Sequence, residues 1–451
     1  MSGDKTSLSS PAFDIRAMLF SRLGSIMHLL TGSVAVAVVM ALSTIVAARA
    51  LGPQAFGIFA LVLTVGRICE RLIRFESWQP LIRFGSQEDI EDDPKAMGEL
   101  FLLGLLLDIA CALLAAAVML VAGYLLLPVI GLDTSQFYLL LIFAPAIAFN
   151  IRGMPTAAMR MAGQFRLLAY FQLFSATLRL IMGAIAWGLD ASLPVFLAIW
   201  TTAQLLDTAV FGILGARAIG QLKIANPLLA WTSSLTTSFP GFMSFAWSTN
   251  ASSALRTLTH EADTLLVGAL VGPTAAGVYH IAKRFAKVAQ QIAAHVQTVL
   301  YPDLARMWAR KRFADVRAIK IKVQCALGAI GFLIIAAVAA VGESGVKWLF
   351  GQEFGMVYPL LLTQLVAVTL IMIAAPARST MLAMNRPGMI LRIAILATIT
   401  FFVAAVIAIP MTGAIGANYG HIVFGGVTLI AMEIAFRYFY RSDTSKTAIG
   451  T

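Results

Sequence analysis

Gly52-Pro53-Gln54-Ala55-Phe56-Gly57-Ile58-Phe59 has an echo later in the chain, Gly272-Pro273-Thr274-Ala275-Ala276-Gly277-Val278-Tyr279. The two stretches stand 220 residues apart and share Gly-Pro, a three-residue spacer, and a glycine followed by an aliphatic and an aromatic residue. Each Gly-Pro pair taken alone is turn chemistry. As register marks the pairs say more. Pro80 and Pro302 lie at comparable helix ends, 222 apart, and Met154-Pro155 through Gln164 matches Ala375-Pro376 through Asn385 at 221. A near-constant offset at three anchors is the mark of a duplicated chain.

What lies between the marks is apolar. Of 451 residues, 59% are hydrophobic and 12% charged, against about 25% charged in soluble domains. Uncharged runs such as Ile109 to Ile130 and Ile393 to Thr412 reach the roughly 20 residues that cross a hydrocarbon core. An all-α polytopic membrane protein is therefore expected. About twelve transmembrane helices are predicted, at 23–48, 55–75, 101–127, 138–158, 167–188 and 193–214, then 242–268, 275–298, 322–341, 358–377, 390–409 and 414–436. They form two six-helix lobes, 23–217 and 242–436, joined by a connection at 218–241 and flanked by an interfacial segment at 1–22 and a polar tail at 437–451. Six is even, so both copies share one orientation and form a parallel repeat about the membrane normal. The first apolar run, Leu23 to Ala48, is too long for a signal peptide, so it is expected to be a retained first helix.

Charge sets the orientation. Nearly all Lys and Arg of the connections fall on the side of the amino terminus, and the other side receives only Arg49 and Lys347. The positive-inside rule then places both termini in the cytoplasm. The net charge of +11 follows from this topology and calls for no nucleic-acid partner. Cys69, Cys111 and Cys325 fall in or beside apolar runs, with neither disulfide nor metal spacing. No Walker loop, no metal-ligand set and no nucleophile–base constellation stands out. The expectation is a chain with no catalytic residues, no metal and no cofactor: a transporter rather than an enzyme.

Charged residues at membrane depth are the candidates for function. A lone charge at a helix centre costs about 2.5–3.5 kcal/mol to insert, so such groups face a watery cavity or partners within the bundle. Arg71 and Arg152 lie near cytoplasmic ends, where they can snorkel. Arg67, Arg179, Arg256, Lys283, Arg284 and Lys287 lie deeper. Arg67 and Lys287 are equivalent under the 220 offset, which puts a duplicated cation near the pseudo-symmetry axis. The span at 242–268 gains Arg256, His260 and Asp263 where the first half has Val36, Met40 and Ser43. A cavity lined by these cations suits an anionic head group, because guanidinium donors match phosphate geometry. Asp108, His260, Glu261 and Asp263 are the candidates for ion or proton coupling; some of the acids are expected simply to pair with arginines, and for His260 a satisfied packing role is the favoured alternative.

At this point the residues resemble a known family. Ala48-Arg49-Ala50-Leu51-Gly52-Pro53-Gln54-Ala55-Phe56-Gly57-Ile58-Phe59-Ala60-Leu61 is similar to the hallmark of the Wzx-type polysaccharide biosynthesis flippases. So are Ala262-Asp263-Thr264-Leu265-Leu266-Val267-Gly268, Gly277-Val278-Tyr279 and Leu300-Tyr301-Pro302. The resemblance runs from about residue 20 to 436 and covers the multidrug/oligosaccharidyl-lipid/polysaccharide exporter superfamily. It implies two lobes around a central cavity in a bacterial inner membrane. It implies translocation of a polyprenyl-diphosphate-linked oligosaccharide, an O-antigen, capsule or exopolysaccharide unit, by alternating access. Membrane lipids, a glycan polymerase and glycosyltransferases would be its partners. The two extra helices usual in lipid II flippases are not expected here, where the sequence closes on the polar stretch Arg441 to Thr451. The alternative is a multidrug exporter of the same superfamily, which would want acidic cavities for cationic drugs. A glycan polymerase or ligase would need large far-side loops; the longest predicted one is roughly 342–357.

Overall fold

The computed structural model describes residues 15–87, 90, 92–231 and 238–449; the side chains of 15–34, 165, 166, 168, 169, 249, 251–260, 298, 299 and 446–449 lie outside the description. Among the described residues there is no strand. The helices of the first half are α1 (Ile15–Ile73), α2 (Trp78–Gly85), α3 (Pro94–Leu126), α4 (Phe137–Ala148), α5 (Gly153–Met161), α6 (Phe165–Gly188) and α7 (Leu193–Gln221). Those of the second half are α8 (Phe242–Val271), α9 (Pro273–Ala309), α10 (Phe313–Phe350), α11 (Val357–Ala383), α12 (Pro387–Thr412) and α13 (Ile415–Ile449).

The repeated Gly-Pro pairs break helices in the same way. Proline disfavours a helical residue before it and lacks the N–H that would continue the ladder. Gly52 interrupts α1 with φ +70° and ψ 171°, and Gly272 separates α8 from α9 with φ +114° and ψ 171°. A residue with a Cβ is strained in that region. The second glycine of each motif does something the turn reading leaves out. A Cβ on Gly57 would lie 1.9 Å from the Pro273 carbonyl oxygen, and one on Gly277 would lie 2.7 Å from Gly57 Cα. The second arm of α1 and the start of α9 therefore cross glycine on glycine. Phe56, Phe59, Ala276 and Tyr279 surround the crossing within one buried apolar cluster drawn from both halves. Arg49, just before the break, donates from Nε to the Leu349 carbonyl at 2.8 Å and reaches the Trp348 carbonyl through Nη2. These are among the last carbonyls of α10, where a cation is favoured.

The outer faces are apolar. Leu113, Leu114, Val121 and Leu125 of α3 and Ile399, Val403, Val406 and Ile407 of α12 are exposed, which suits lipid rather than water. Among the described residues, nine helical stretches are long and apolar enough to cross a membrane. Three of the twelve predicted spans are not separate members of that set. Ala35–Gly85 is a single stretch covering the first two, which Gly52 divides. α9, which falls where the span at 275–298 is predicted, is long enough but carries Lys283, Arg284 and Lys287. α8 falls on the span predicted at 242–268, and its side chains at 249 and 251–260 lie outside the description. The stretch at 342–350, predicted as loop, is helical and continues α10 past a break at Gly342. α2 and α5, 8 and 9 residues long, are too short to cross a membrane. They pack against each other and shape the wall of the site.

Candidate functional site

A cavity of about 540 Å³ opens within the first half, bounded by the second arm of α1 and by α2, α5, α6 and α7. The α1 arm presents Arg67, Glu70, Arg71 and Arg74 to it, residues spaced three and four apart and hence on one helical face. α5 is fixed by a carboxylate from α3. Asp108 accepts from Ser77 Oγ at 2.5 Å and from the Met154 backbone N–H at 2.8 Å. A carboxylate at a helix N-terminus is stabilising there. A Cβ on Gly153 would fall 1.7 Å from Ser77 Oγ and 2.6 Å from Asp108 Oδ1, so only glycine lets the three segments meet. This anchorage holds Arg152 and Arg160, at the two ends of α5, on the cavity wall.

Six arginines, Arg67, Arg71, Arg74, Arg152, Arg160 and Arg179, line the cavity against three carboxylates, Glu70, Glu76 and Asp207. Some of the charge is compensated. Arg74 pairs with Glu70 at 2.6 Å, and Asn150 Nδ2 donates to the same oxygen at 2.6 Å. Arg152 pairs with Asp207 and donates to Asn150 Oδ1 at 3.0 Å. Arg71 lies 3.5 Å from Glu76. Other donors are left over. Among the described residues Arg179 Nη2 finds the neutral Gln204 Oε1, at 2.7 Å, and the Arg160 guanidinium stacks 3.8 Å from the Trp78 ring centre. The Nε–H groups of Arg67, Arg160 and Arg179 are buried without an acceptor among the described residues. An unmet buried donor costs about 1–3 kcal/mol. Three of them in one cation-rich cavity are complementary to an anion with several oxygens.

The second half handles charge differently. Asp263 is 0% exposed. Lys283 Nζ lies 2.5 Å from its Oδ1, and the Thr264 backbone N–H donates to that oxygen at 2.6 Å. Tyr279 OH donates to Oδ2 at 2.7 Å, and His421 Nε2 lies at 2.7 Å from it. A space of only about 20 Å³ adjoins this cluster, lined in part by Lys283, Lys287, Gln364 and His421. Between the halves stands Glu261, 3.4 Å from Arg67 Nη2 and 3.9 Å from Lys287 Nζ.

The structure thus brings Arg67 and Arg179 into one cavity and ties Lys283 to Asp263. Lys287 stays 55% exposed beside Glu261. Arg284 is half-buried, within electrostatic reach of Arg67, Arg179 and Glu261. The side chains of Arg256 and His260 lie outside the described residues. Asp108 holds α5 in place. In the sequence Arg74 reads as a local i,i+4 partner of Glu70, on one helix face with Arg67 and Arg71, and the structure forms that pair. Arg160 counts there with the connections, Arg71 and Arg152 sit at the interface, and Asn150, Gln204 and His421 carry no functional mark. The one available signal was the polar run Asn150-Ile151-Arg152-Gly153 inside a predicted span.

The family model for polysaccharide biosynthesis proteins matches residues 46–359. The chain belongs to that family. It is a multi-pass inner membrane protein. The inner membrane protein YghQ of Escherichia coli (strain K12) is 26% identical to it over 319 residues, 70% of this chain and 88% of that one. The lipopolysaccharide biosynthesis protein WzxC of the same organism is 27% identical over 221 residues, 47% of this chain and 44% of that one. Among solved structures, an inward-facing multidrug resistance MATE family transporter of the MOP superfamily superposes with a TM-score of 0.70 at 14% identity, covering 91% of this chain and 95% of that one. The lipid II flippase MurJ, in an inward closed conformation, gives 0.67 at 14% identity, covering 90% and 87%. At such identities the likeness is one of fold, and the fold is that of membrane transporters.

Proposed function

We propose that this chain is a flippase that moves a polyprenyl-diphosphate-linked oligosaccharide across the inner membrane, holding the diphosphate in the arginine cavity of the first half. One observation carries the reading: three buried guanidinium N–H groups without acceptors among the described residues, on Arg67, Arg160 and Arg179, border a single cavity with cations in excess. The prenyl chain stays in the bilayer beside the apolar outer faces while the charged head enters. Alternating access arises from rocking of two six-helix lobes, 23–217 and 242–436, with both termini in the cytoplasm. Arg284 and Lys287 extend the cationic surface toward the second half. Glycosyltransferases would supply the cargo and a glycan polymerase would take it on. We assign coupling to Asp263 rather than Asp108. His421 and Lys283, which hold Asp263, are proton-carrying groups, whereas a serine hydroxyl and a backbone N–H hold Asp108.

The test is delivery of glycan to the cell surface in a strain lacking the gene. Arg179→Gln and Arg160→Gln should each reduce surface glycan at least about tenfold, the effect of roughly 1.4 kcal/mol per lost contact, and lipid-linked intermediate should accumulate. Normal delivery by the double variant would remove the cavity from the mechanism. The MATE-like fold keeps drug export as the second reading. Export of organic cations by the intact chain would favour it, although six arginines against three carboxylates repel such cargo.

A further inference from the structure

Glu261 stands between the two cations that the repeat makes equivalent. Its Oε2 faces Arg67 Nη2 at 3.4 Å and its Oε1 faces Lys287 Nζ at 3.9 Å. Each oxygen thus serves a different half of the chain. The side chain is only 13% exposed. The position 220 residues earlier is Ala41, so the acid has no counterpart. Both contacts are longer than the roughly 2.7–2.9 Å of a well-formed charge-assisted bond. Arg67 still has a buried Nε without an acceptor, and Arg284 is close enough to feel both Arg67 and Glu261. A single carboxylate is loosely shared by cations that outnumber it.

We propose that Glu261 is a resident stand-in for the cargo phosphate, seated between Arg67 and Lys287 while no cargo is bound and displaced when the diphosphate arrives. The proposal rests on the anionic-cargo reading above. A tethered carboxylate competes at high effective concentration, so it weakens every anion that needs the same two cations. A ligand with a single negative charge offers little more than Glu261 already supplies. A diphosphate carries more charge and more oxygens, and it can use the spare donors. Glu261 then raises the affinity threshold for every such anion by the same factor, and the weakly held singly charged phosphodiesters of the bilayer fall below it. Its displacement also exchanges an ion pair between the halves, Arg67–Glu261, for a bridge made by the cargo.

The experiment measures binding of inorganic pyrophosphate, and of dimethyl phosphate as a singly charged probe, to the purified full chain in detergent. Glu261→Gln should bind both probes more tightly by the same factor, at least about tenfold or roughly 1.4 kcal/mol. Glu261→Asp, which keeps the charge, should stay near the unsubstituted protein. Adding Arg67→Gln or Lys287→Gln to Glu261→Gln should cancel the gain. In the unsubstituted chain, carbodiimide labelling of Glu261, read by mass spectrometry, should rise when pyrophosphate is added. Pyrophosphate affinity in Glu261→Gln equal to or below that of the unsubstituted protein would overturn the proposal, as would labelling that pyrophosphate leaves unchanged. If neither protein binds pyrophosphate, the stand-in is likewise overturned. The anionic-cargo reading is judged separately, by glycan delivery with Arg179→Gln.

Discussion

Asp263 and Arg179 are ionic groups held inside the helical bundle, one in each half of the chain, and their surroundings differ. Asp263 meets an ammonium, an imidazole, a phenol and a backbone N–H, all within 2.7 Å, and the space beside it has room for little more than a water molecule. Among the described residues Arg179 meets one neutral amide, and it borders a cavity of about 540 Å³ with its Nε unpaired there. Taking a charge out of water is costly unless partners replace the water. In the second half the chain supplies those partners itself, and the charge becomes part of the packing. In the first half the replacement is left incomplete, and the deficit is specific in sign and geometry. The chain has its spare polar capacity in its first half and its rigid polar joint in its second.

Three measurements of thermal unfolding in detergent test that contrast. The largest loss is expected from Asp263→Leu, which strands Lys283 in the bundle; breaking a buried pair from one side costs about 3–5 kcal/mol. Adding Lys283→Leu should recover most of it, because two matched apolar groups replace the pair. A single variant no less stable than the native chain would dissolve the distinction between the halves. Next comes Arg152→Leu, which leaves Asp207 without its guanidinium, at about 1–3 kcal/mol. A loss as large as that of Asp263→Leu would mean that the first-half cavity is as rigidly compensated as the second-half cluster. The smallest effect is expected from Arg179→Gln, within about 0.5 kcal/mol of the native chain, because among the described residues no carboxylate pairs with it. Destabilisation of several kcal/mol there would make Arg179 a structural group and remove it from cargo binding.

Much of the fold is legible in the sequence because its marks are local. Gly52-Pro53 and Gly272-Pro273 break helices through their own backbones, and the apolar runs of α3 and α12 show their length directly. The pairing of Arg67 with Lys287 by offset is likewise readable, since repetition needs no knowledge of contacts. What escapes are partners brought from elsewhere. Glu261 joins Arg67 across 194 residues, His421 joins Asp263 across 158, and Asp108 caps a helix that begins 45 residues later. Hydropathy places Arg71, Arg74, Arg152 and Arg160 along the membrane normal near an interface. It carries no information that α2 and α5 are short segments that pack together and turn those side chains inward. The glycine crossing is hidden for the same reason: Gly57 looks like a loop-end residue until α9 lies against it.

That crossing has a consequence for how such a chain can change by mutation. A residue close to a two-fold axis meets its own copy. In an assembly of two identical six-helix units, one substitution at this glycine would have arrived on both sides of the contact at once. In the fused chain the two positions drift independently, yet neither is free. Bulk on Gly57 runs into the backbone at Pro273, and bulk on Gly277 runs into the backbone at Gly57. Each glycine keeps the other at the smallest residue available, so the two stretches stay alike at this point however far the residues around them diverge.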